Sequence, residues 1–210
     1  MTRYAKLTAG LIGAWFVLSL VASALHFYRT GPNGPPLPLG LAALTPIVVF
    51  LVWFATSEGL RQFTMSLNPR TLTMVQSWRV AGFVFLVLAA FGILPVMFAL
   101  PAGWGDIAIG ATAPFVALRL VSLDRRKIFV VWQVLGIADL VTAVTLGSIA
   151  RMIDPHGIPT NAMTVLPLSL IPTFAVPLLL ILHVICIVQA SRWPMRQRST
   201  IGEQLHSPVA

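Results

Sequence analysis

Long apolar segments constrain the fold of this sequence more than any other feature. Six segments have the length and composition of membrane spans: about 8–28, 39–56, 80–100, 105–123, 128–149 and 166–189. The hydrocarbon core of a bilayer is about 30 Å thick, and a helix of about 20 apolar residues crosses it. Only 10% of the residues are charged, against about 25% in soluble domains. A soluble protein of this length would need far more polar surface to cover its core.

Backbone hydrogen bonding predicts the conformation of these segments. In lipid, every backbone N–H and C=O must be paired within the chain, and only helices and closed barrels achieve this. The runs are too long, and alternate too little, to be barrel strands. The sequence therefore predicts an all-α integral membrane bundle of six helices, which forms a single domain over residues 1–190. A polar tail at 191–210 is predicted to be disordered.

The distribution of lysine and arginine predicts that both termini are cytoplasmic. With the N-terminus inside, the cytoplasmic side receives most basic residues: Arg3, Lys6, Arg61, Arg70, Arg79, Arg119, Arg125, Arg126, Lys127, Arg192, Arg196 and Arg198. Only Arg29 and Arg151 fall on the other side. This excess is the positive-inside pattern of membrane proteins. The net charge of +8 is interpreted as a topology signal, and no nucleic-acid partner is expected.

The start of the chain leaves two interpretations open. A basic segment, MTRYAK, precedes a long apolar run, and Ala22-Ser23-Ala24 then resembles a signal-peptidase site. The apolar run is longer than that of a typical signal peptide, so an uncleaved first span is favoured. Cleavage after Ala24 would leave five spans.

The third span also has two alternative starts. Apolar residues become continuous near residue 80, which gives the span over 80–100. The helix can instead begin near residue 71, with Pro95 ending it and an irregular outer connection continuing to Trp104. In that case the inner leaflet contains two polar side chains: Gln76 and Arg79.

Asp139 lies deeper in an apolar segment than any other acidic residue. Counting about 1.5 Å per residue from Ile128 places it near the middle of the bilayer. A charged Asp there costs on the order of 3 kcal/mol, so it should face other helices. It belongs to a stripe that would let a neighbouring helix approach closely: Trp132, Gly136, Asp139, Ala143 and Gly147. Four residues are candidate partners: His183, Arg79, Gln133 and Thr142. Interhelical pairing and a role as a relay or binding group both remain open.

Asp106 follows a Gly-rich turn and is predicted to lie in the first turn of the fourth span. A carboxylate there accepts hydrogen bonds from unpaired N–H groups and complements the helix dipole. The alternative is a role in admitting an ion or substrate from the outer side. Asp106 begins a second small-residue stripe, which is predicted to face the stripe of the fifth span: Asp106, Gly110, Ala113 and Ala117.

Motifs of common enzyme classes are absent from the sequence. It contains no GxxxxGK[ST] loop, no GxSxG elbow and no HExxH helix. The single Cys186 excludes an internal disulfide and a CxxC site. Haem bound by two histidines is disfavoured because His26 lies near the outer surface and His183 in the inner half. No cofactor and no metal is expected, and an enzymatic role is disfavoured.

Several blocks of the sequence resemble uncharacterised bacterial inner-membrane proteins. They cover about half the chain: QSWRVAGFVFL, LPVMFALPAGWGDIAIGATAPFVA, WQVLGIADLVTAV and LLLILHVI. The resemblance implies a multi-pass protein of the bacterial plasma membrane. It implies no activity and no site residues.

Three functions are compatible with these features. The favoured one is a small-solute or ion transporter or channel that uses Asp139 with His183. The second is a non-catalytic assembly or partner-binding subunit, and the third, less favoured, is a lipid- or quinone-linked enzyme. Expected partners are the lipid bilayer and either other membrane subunits or a second copy of the chain. Five residues are candidate binding or relay groups: Asp139, His183, Asp106, Arg79 and Gln76.

Overall fold

The computed structural model of the chain describes residues 3–29 and 37–193. Within these residues there is no strand, and six helices are long and apolar enough to cross a membrane. We number them as the first to the sixth span: Tyr4–Ala24, Leu37–Thr56, Pro69–Ala90, Val96–Leu120, Leu123–Ala150 and Ile171–Ser191. The predicted all-α fold with six spans is thus confirmed, and the chain is a multi-pass membrane protein. Most of the predicted polar tail, from residue 194 onward, lies outside the described residues.

Irregular segments interrupt three of the spans. The third contains a 3-10 segment, Gln76–Gly82, and π-helical segments end the fourth and begin the sixth: Val116–Leu120 and Ile171–Ala175. The α-helical parts of the spans are Arg3–Ala24, Leu37–Thr56, Pro69–Val75, Phe83–Ala90, Val96–Phe115, Arg126–Ile153 and Val176–Ser191. A short helix, Glu58–Ser66, connects the second span to the third, and 3-10 turns occur at Leu123–Arg125 and Thr160–Thr164.

The third span begins at Pro69, so the predicted start near residue 80 is wrong. Asn68 caps it, because its Oδ1 accepts a hydrogen bond from the backbone N–H of Arg70 at 2.9 Å. Pro69 occupies the first helical position, where the N–H that proline lacks would have no partner within the helix. The longer alternative, with a start near residue 71, agrees with this helix.

Two polar side chains explain the wrong boundary. Gln76 and Arg79 interrupt the apolar run, so continuous hydrophobicity begins only after them. Both are nevertheless buried inside the bundle. Arg79 is therefore not at the end of a span, where the charge distribution had predicted it among the basic residues expected to be cytoplasmic.

The fourth span begins at Val96, so the predicted irregular connection up to Trp104 is also wrong. Gly92 has a φ of 65°, a conformation that glycine adopts without strain, where the chain turns after the third span. Pro95 has an extended backbone directly before the first helical residue. Pro101 lies inside the helix, where it removes one N–H although its fixed φ suits the helical backbone. Membrane helices tolerate such a proline because neighbouring groups can satisfy the freed carbonyl.

Two apolar clusters fill the bundle on either side of its middle. One joins the start of the third and fifth spans to the end of the fourth and sixth: Leu72, Ile109, Ala113, Val116, Leu120, Phe129, Trp132, Ile181, Ile185, Cys186 and Ala190. The other joins the opposite ends of the third and fourth spans: Phe85, Leu94, Phe98, Ala99, Ala102 and Met163. Polar side chains of the third, fourth and fifth spans lie between the two clusters along the helices.

The backbone carbonyl of Thr173 attaches the sixth span to the first. Pro177, four residues later, has no N–H with which to pair this carbonyl as an α-helix would. The Nε1–H of Trp15 donates to the carbonyl at 3.0 Å. Closer to the connection between the fifth and sixth spans, the Oγ of Ser169 donates to the Oγ of Ser23 at 2.9 Å. The irregular start of the sixth span thus supplies the acceptor that holds the first.

Trp15→Phe is expected to lower the free energy of unfolding by about 1 kcal/mol. Interhelical hydrogen bonds in membranes contribute about 0.6 kcal/mol on average. The Oγ of Ser19 also donates to the Thr173 carbonyl, at 3.5 Å, so this acceptor keeps one partner in the variant. Thermal unfolding in detergent measures the change. Trp104→Phe is the matched control, because Trp104 is 62% exposed. Equal melting of both variants would argue against the attachment through Thr173.

Candidate functional site

Arg79 lies at the centre of a polar cluster to which the third, fourth, fifth and sixth spans contribute. Its Nε donates to Oδ1 of Asp106 at 2.7 Å, and its Nη2 donates to Oδ2 of Asp139. Its Nη1 donates to the carbonyl of Gly136 at 3.2 Å and lies 3.3 Å from Nε2 of His183. The side chain is only 1% exposed, so one buried guanidinium connects three neighbouring helices.

The 3-10 segment of the third span aligns the residues that face this cluster. In a 3-10 helix, side chains three residues apart lie directly above one another. Gln76, Arg79 and Gly82 have this spacing and are the buried residues of the segment. The tightened turn therefore directs a glutamine, an arginine and a glycine toward the bundle interior along one line.

A second group of hydrogen bonds holds His183 beside Arg79. Its Nδ1 lies 2.5 Å from Oε1 of Gln133, and the Nε2 of Gln133 donates to Oγ1 of Thr73 at 3.3 Å. Thr73 donates in turn to the carbonyl of Pro69 at 2.8 Å, toward the start of the third span. His183, Gln133 and Thr73 are all fully buried. The imidazole is thus connected on both ring nitrogens.

Three glycines on three different spans make room for the polar side chains. A Cβ built at Gly82 would overlap Asp106, and one at Gly105 would overlap the carboxylate of Asp139. A Cβ at Gly136 would overlap the ring of His183. These glycines therefore leave space for the polar side chains of neighbouring helices, in addition to allowing the helix backbones to approach closely.

The predicted location of Asp106 in a first helical turn is wrong. Because the fourth span begins at Val96, Asp106 lies well inside it and pairs with Arg79. The two small-residue stripes do not face each other as expected: the fifth-span stripe lies against the fourth span, but Asp139 and Gly147 meet Gly105 and Phe98, which are outside the predicted fourth-span stripe. Gly110 lies against the backbone of Val80 in the third span, while Gly136 faces the sixth span. The fourth span directs its stripe toward the third because Arg79 draws Asp106 there.

Four of the five candidate residues come together in this cluster: Asp139, His183, Asp106 and Arg79. Gln76 lies on the same face of the third span, but its Nε2 donates to the carbonyl of Leu179 at 3.1 Å. Thr142, considered as a partner of Asp139, is exposed. Gln133 was considered as a direct partner of Asp139 and instead holds His183. Gln133 is a neutral polar residue inside an apolar span, and this was the sequence feature that could have indicated its contact with His183.

The formal charges of the cluster do not balance. One guanidinium faces two carboxylates, whose side chains are each 17% exposed. Ionisation of both acids leaves a net charge of −1 between two apolar clusters, where a charge is costly. One added proton or one monovalent cation would neutralise the group. The arrangement can therefore bind a single positive charge.

Comparison with known proteins gives a family but no activity. The model of a family described as Domain of unknown function (DUF8737) matches residues 35–190, which include every residue of the polar cluster. Neither a curated protein nor a solved structure matches the chain. The match covers well over half of the sequence, and the chain therefore belongs to the DUF8737 family.

Proposed function

We propose that this chain is a transporter or channel for a small solute or ion, linked to the binding of one monovalent cation at the Arg79 cluster. The observation that carries the proposal is the unequal charge around Arg79. A group that only joined helices would be neutral with one carboxylate, whereas two carboxylates leave a place for one exchangeable positive charge. Cation binding would then change how Arg79 divides its contacts between the fourth and fifth spans.

The helix irregularities support this proposal. Arg79 belongs to the 3-10 segment Gln76–Gly82, and the sixth span, which carries His183, begins with the π-helical segment Ile171–Ala175. Such segments mark hinges and functional sites more often than regular helix does, and interrupted helices form the binding sites of many transporters. The third and sixth spans, which meet at Arg79 and His183, would therefore be the places where cation binding changes the packing of the bundle.

The proposed location is the bacterial plasma membrane, with both termini in the cytoplasm. Resemblance to bacterial inner-membrane proteins supports the location. The orientation rests on the basic residues of the connections, which still favour one side strongly after Arg79 is removed from the count. The connection between the fourth and fifth spans carries Arg125, Arg126 and Lys127 and would be cytoplasmic.

A non-catalytic membrane subunit is the second candidate function. The observation that favours it is the complete pairing of Arg79, whose three terminal nitrogens all have partners in the bundle. Complete pairing is what a structural connection between helices requires. In that case neutralising one acid would alter stability slightly and leave the phenotype of the cell unchanged.

Asp139→Asn distinguishes the two functions. Asparagine keeps the size and can accept the hydrogen bond of Arg79, so we expect normal membrane insertion and a melting temperature close to that of the wild type. In a deletion strain, solute-resolved metabolomics should identify the affected solutes, and the wild-type gene should restore their levels. Asp139→Asn should fail to restore them, whereas Asp154→Asn, which is outside the cluster, should succeed. Full restoration by Asp139→Asn would support the subunit function and exclude the transporter.

A further inference from the structure

We infer that the cation bound by the cluster is a proton, held by the Asp106–Asp139 pair, and that Thr73 and Gln133 fix His183 as a neutral positioning residue. The inference rests on the proposed function and names its coupling ion. It also assigns the imidazole a role different from that of a binding or relay group, which the sequence had suggested for His183.

The hydrogen-bond directions determine the tautomer of His183. A guanidinium N–H only donates, so Nε2 of His183 must accept from Arg79 across their 3.3 Å separation. Nδ1 then carries the ring hydrogen and donates to Oε1 of Gln133. The amide group of Gln133 is oriented by its other end, because its Nε2 donates to Oγ1 of Thr73. Thr73 cannot reverse this direction, since its own hydrogen is directed to the carbonyl of Pro69.

A second proton on His183 is disfavoured by its surroundings. It would occupy Nε2 and point at the Nη1 of Arg79, which places two positively charged donors against each other. Asp106 lies on the fourth span and Asp139 on the fifth. The titratable or charged groups that face them are Arg79 of the third span and His183 of the sixth. With His183 neutral and Arg79 permanently charged, the carboxyl groups are the sites that exchange a proton.

The donor set around the acids suits a proton better than a metal ion. A metal cation, monovalent or divalent, is held by several oxygen ligands at once, about six in the case of Mg²⁺ and Ca²⁺. Among the described residues, no group of three or more His, Cys, Asp or Glu is arranged to hold a metal ion. The carbonyl of Gly136, which also contacts the guanidinium, already accepts a hydrogen bond from Arg79. A proton needs no further ligand and no additional space.

Uptake of one proton gives a neutral cluster. A proton from water binds one carboxylate oxygen, and the remaining carboxylate balances Arg79, so the net charge changes from −1 to zero. Two interacting acids titrate as a pair, and the proton belongs to Asp106 and Asp139 together. The acid that becomes protonated loses most of its attraction to Arg79. Proton binding therefore weakens the contact of Arg79 with one of the two spans that carry the acids, the fourth or the fifth.

Infrared difference spectroscopy of the purified full-length chain during a pH titration tests the carboxyl pair. The sequence has only six acidic residues, which simplifies the assignment of bands. We expect the C=O stretch of a buried carboxylic acid in the wild type, and its loss in both Asp106→Asn and Asp139→Asn. Each variant leaves one carboxylate to balance Arg79, which keeps that acid ionised. A wild-type spectrum without the band, or a band that survives in either variant, would overturn the inference.

Nitrogen-15 NMR of histidine-labelled protein tests the role of His183. The chain has four histidines, so a His183→Gln variant identifies the signal. We expect His183 to remain in the neutral Nδ1–H tautomer across the pH range in which the carboxyl band changes. Gln133→Leu should keep this tautomer, because Arg79 still donates to Nε2, but should shift the Nδ1 signal, because Nδ1–H loses its acceptor. Double protonation of His183 in that range would overturn the inference. Neither spectrum depends on transport activity. The two measurements can therefore show that the proton assignment fails while transport is observed, or that it holds while transport is not.

Discussion

Arg79→Met should be the most destabilising substitution in the polar cluster. Methionine fills much of the same volume but donates no hydrogen bond, so Asp106 and Asp139 would face each other without a positive charge. Removing one partner of a buried ion pair costs about 3–5 kcal/mol. We expect a lower melting temperature in detergent and less protein inserted in the membrane.

Two controls separate the charge effect from the loss of side-chain packing. The triple variant Arg79→Met, Asp106→Asn and Asp139→Asn should recover most of the lost stability, because no uncompensated charge remains. Arg61→Met removes an exposed ion pair with Glu58, at 2.7 Å, and should cost about 0.3–0.5 kcal/mol at most. If Arg79→Met and Arg61→Met have the same melting temperature, the buried contacts of Arg79 do not stabilise the fold.

Gly105→Ala should have the second largest effect on stability, although alanine is the better helix former by about 1 kcal/mol. The new methyl group would overlap the carboxylate of Asp139, which must then move away from Arg79. Overpacking of this kind costs about 1–3 kcal/mol, and the weakened ion pair adds to it. Thermal unfolding in detergent measures the sum.

Gly13→Ala is the matched control for helix propensity. Gly13 also lies inside a span, but a Cβ there would meet no atom within 4 Å. Its replacement should leave the melting temperature unchanged or raise it. A Gly105→Ala protein as stable as Gly13→Ala would mean that Asp139 does not lie against the fourth span.

The apolar pattern could predict the six spans because bilayer thickness sets their length directly. It could not predict where the third span begins, because Arg79 is buried by neighbouring helices that a single segment does not reveal. The wrong start of the fourth span then moved Asp106 into a first helical turn. The first error arose from judging Arg79 by its own segment alone, and the second from interpreting the Gly-rich segment before Asp106 as a turn although it lies inside the helix.

The cluster itself was only partly predictable. The depth of Asp139 required a partner, and Arg79 and His183 were among the candidates, because few polar residues occur at that depth. The contact with Asp106 could not be derived, since it depends on the 3-10 segment that aligns Gln76, Arg79 and Gly82. Helical periodicity assumes about 3.6 residues per turn and does not register such a local tightening.

Solute-driven proton movement in proteoliposomes tests the central claim most directly. The purified chain is reconstituted with a pH-sensitive dye inside the vesicles, and the solute identified in the deletion strain is added outside. With the wild type, solute uptake should be accompanied by a change of internal pH, and Asp139→Asn at equal protein content should produce neither. Solute uptake without a pH change, or an unchanged pH signal with Asp139→Asn, would contradict proton-linked transport at the Arg79 cluster.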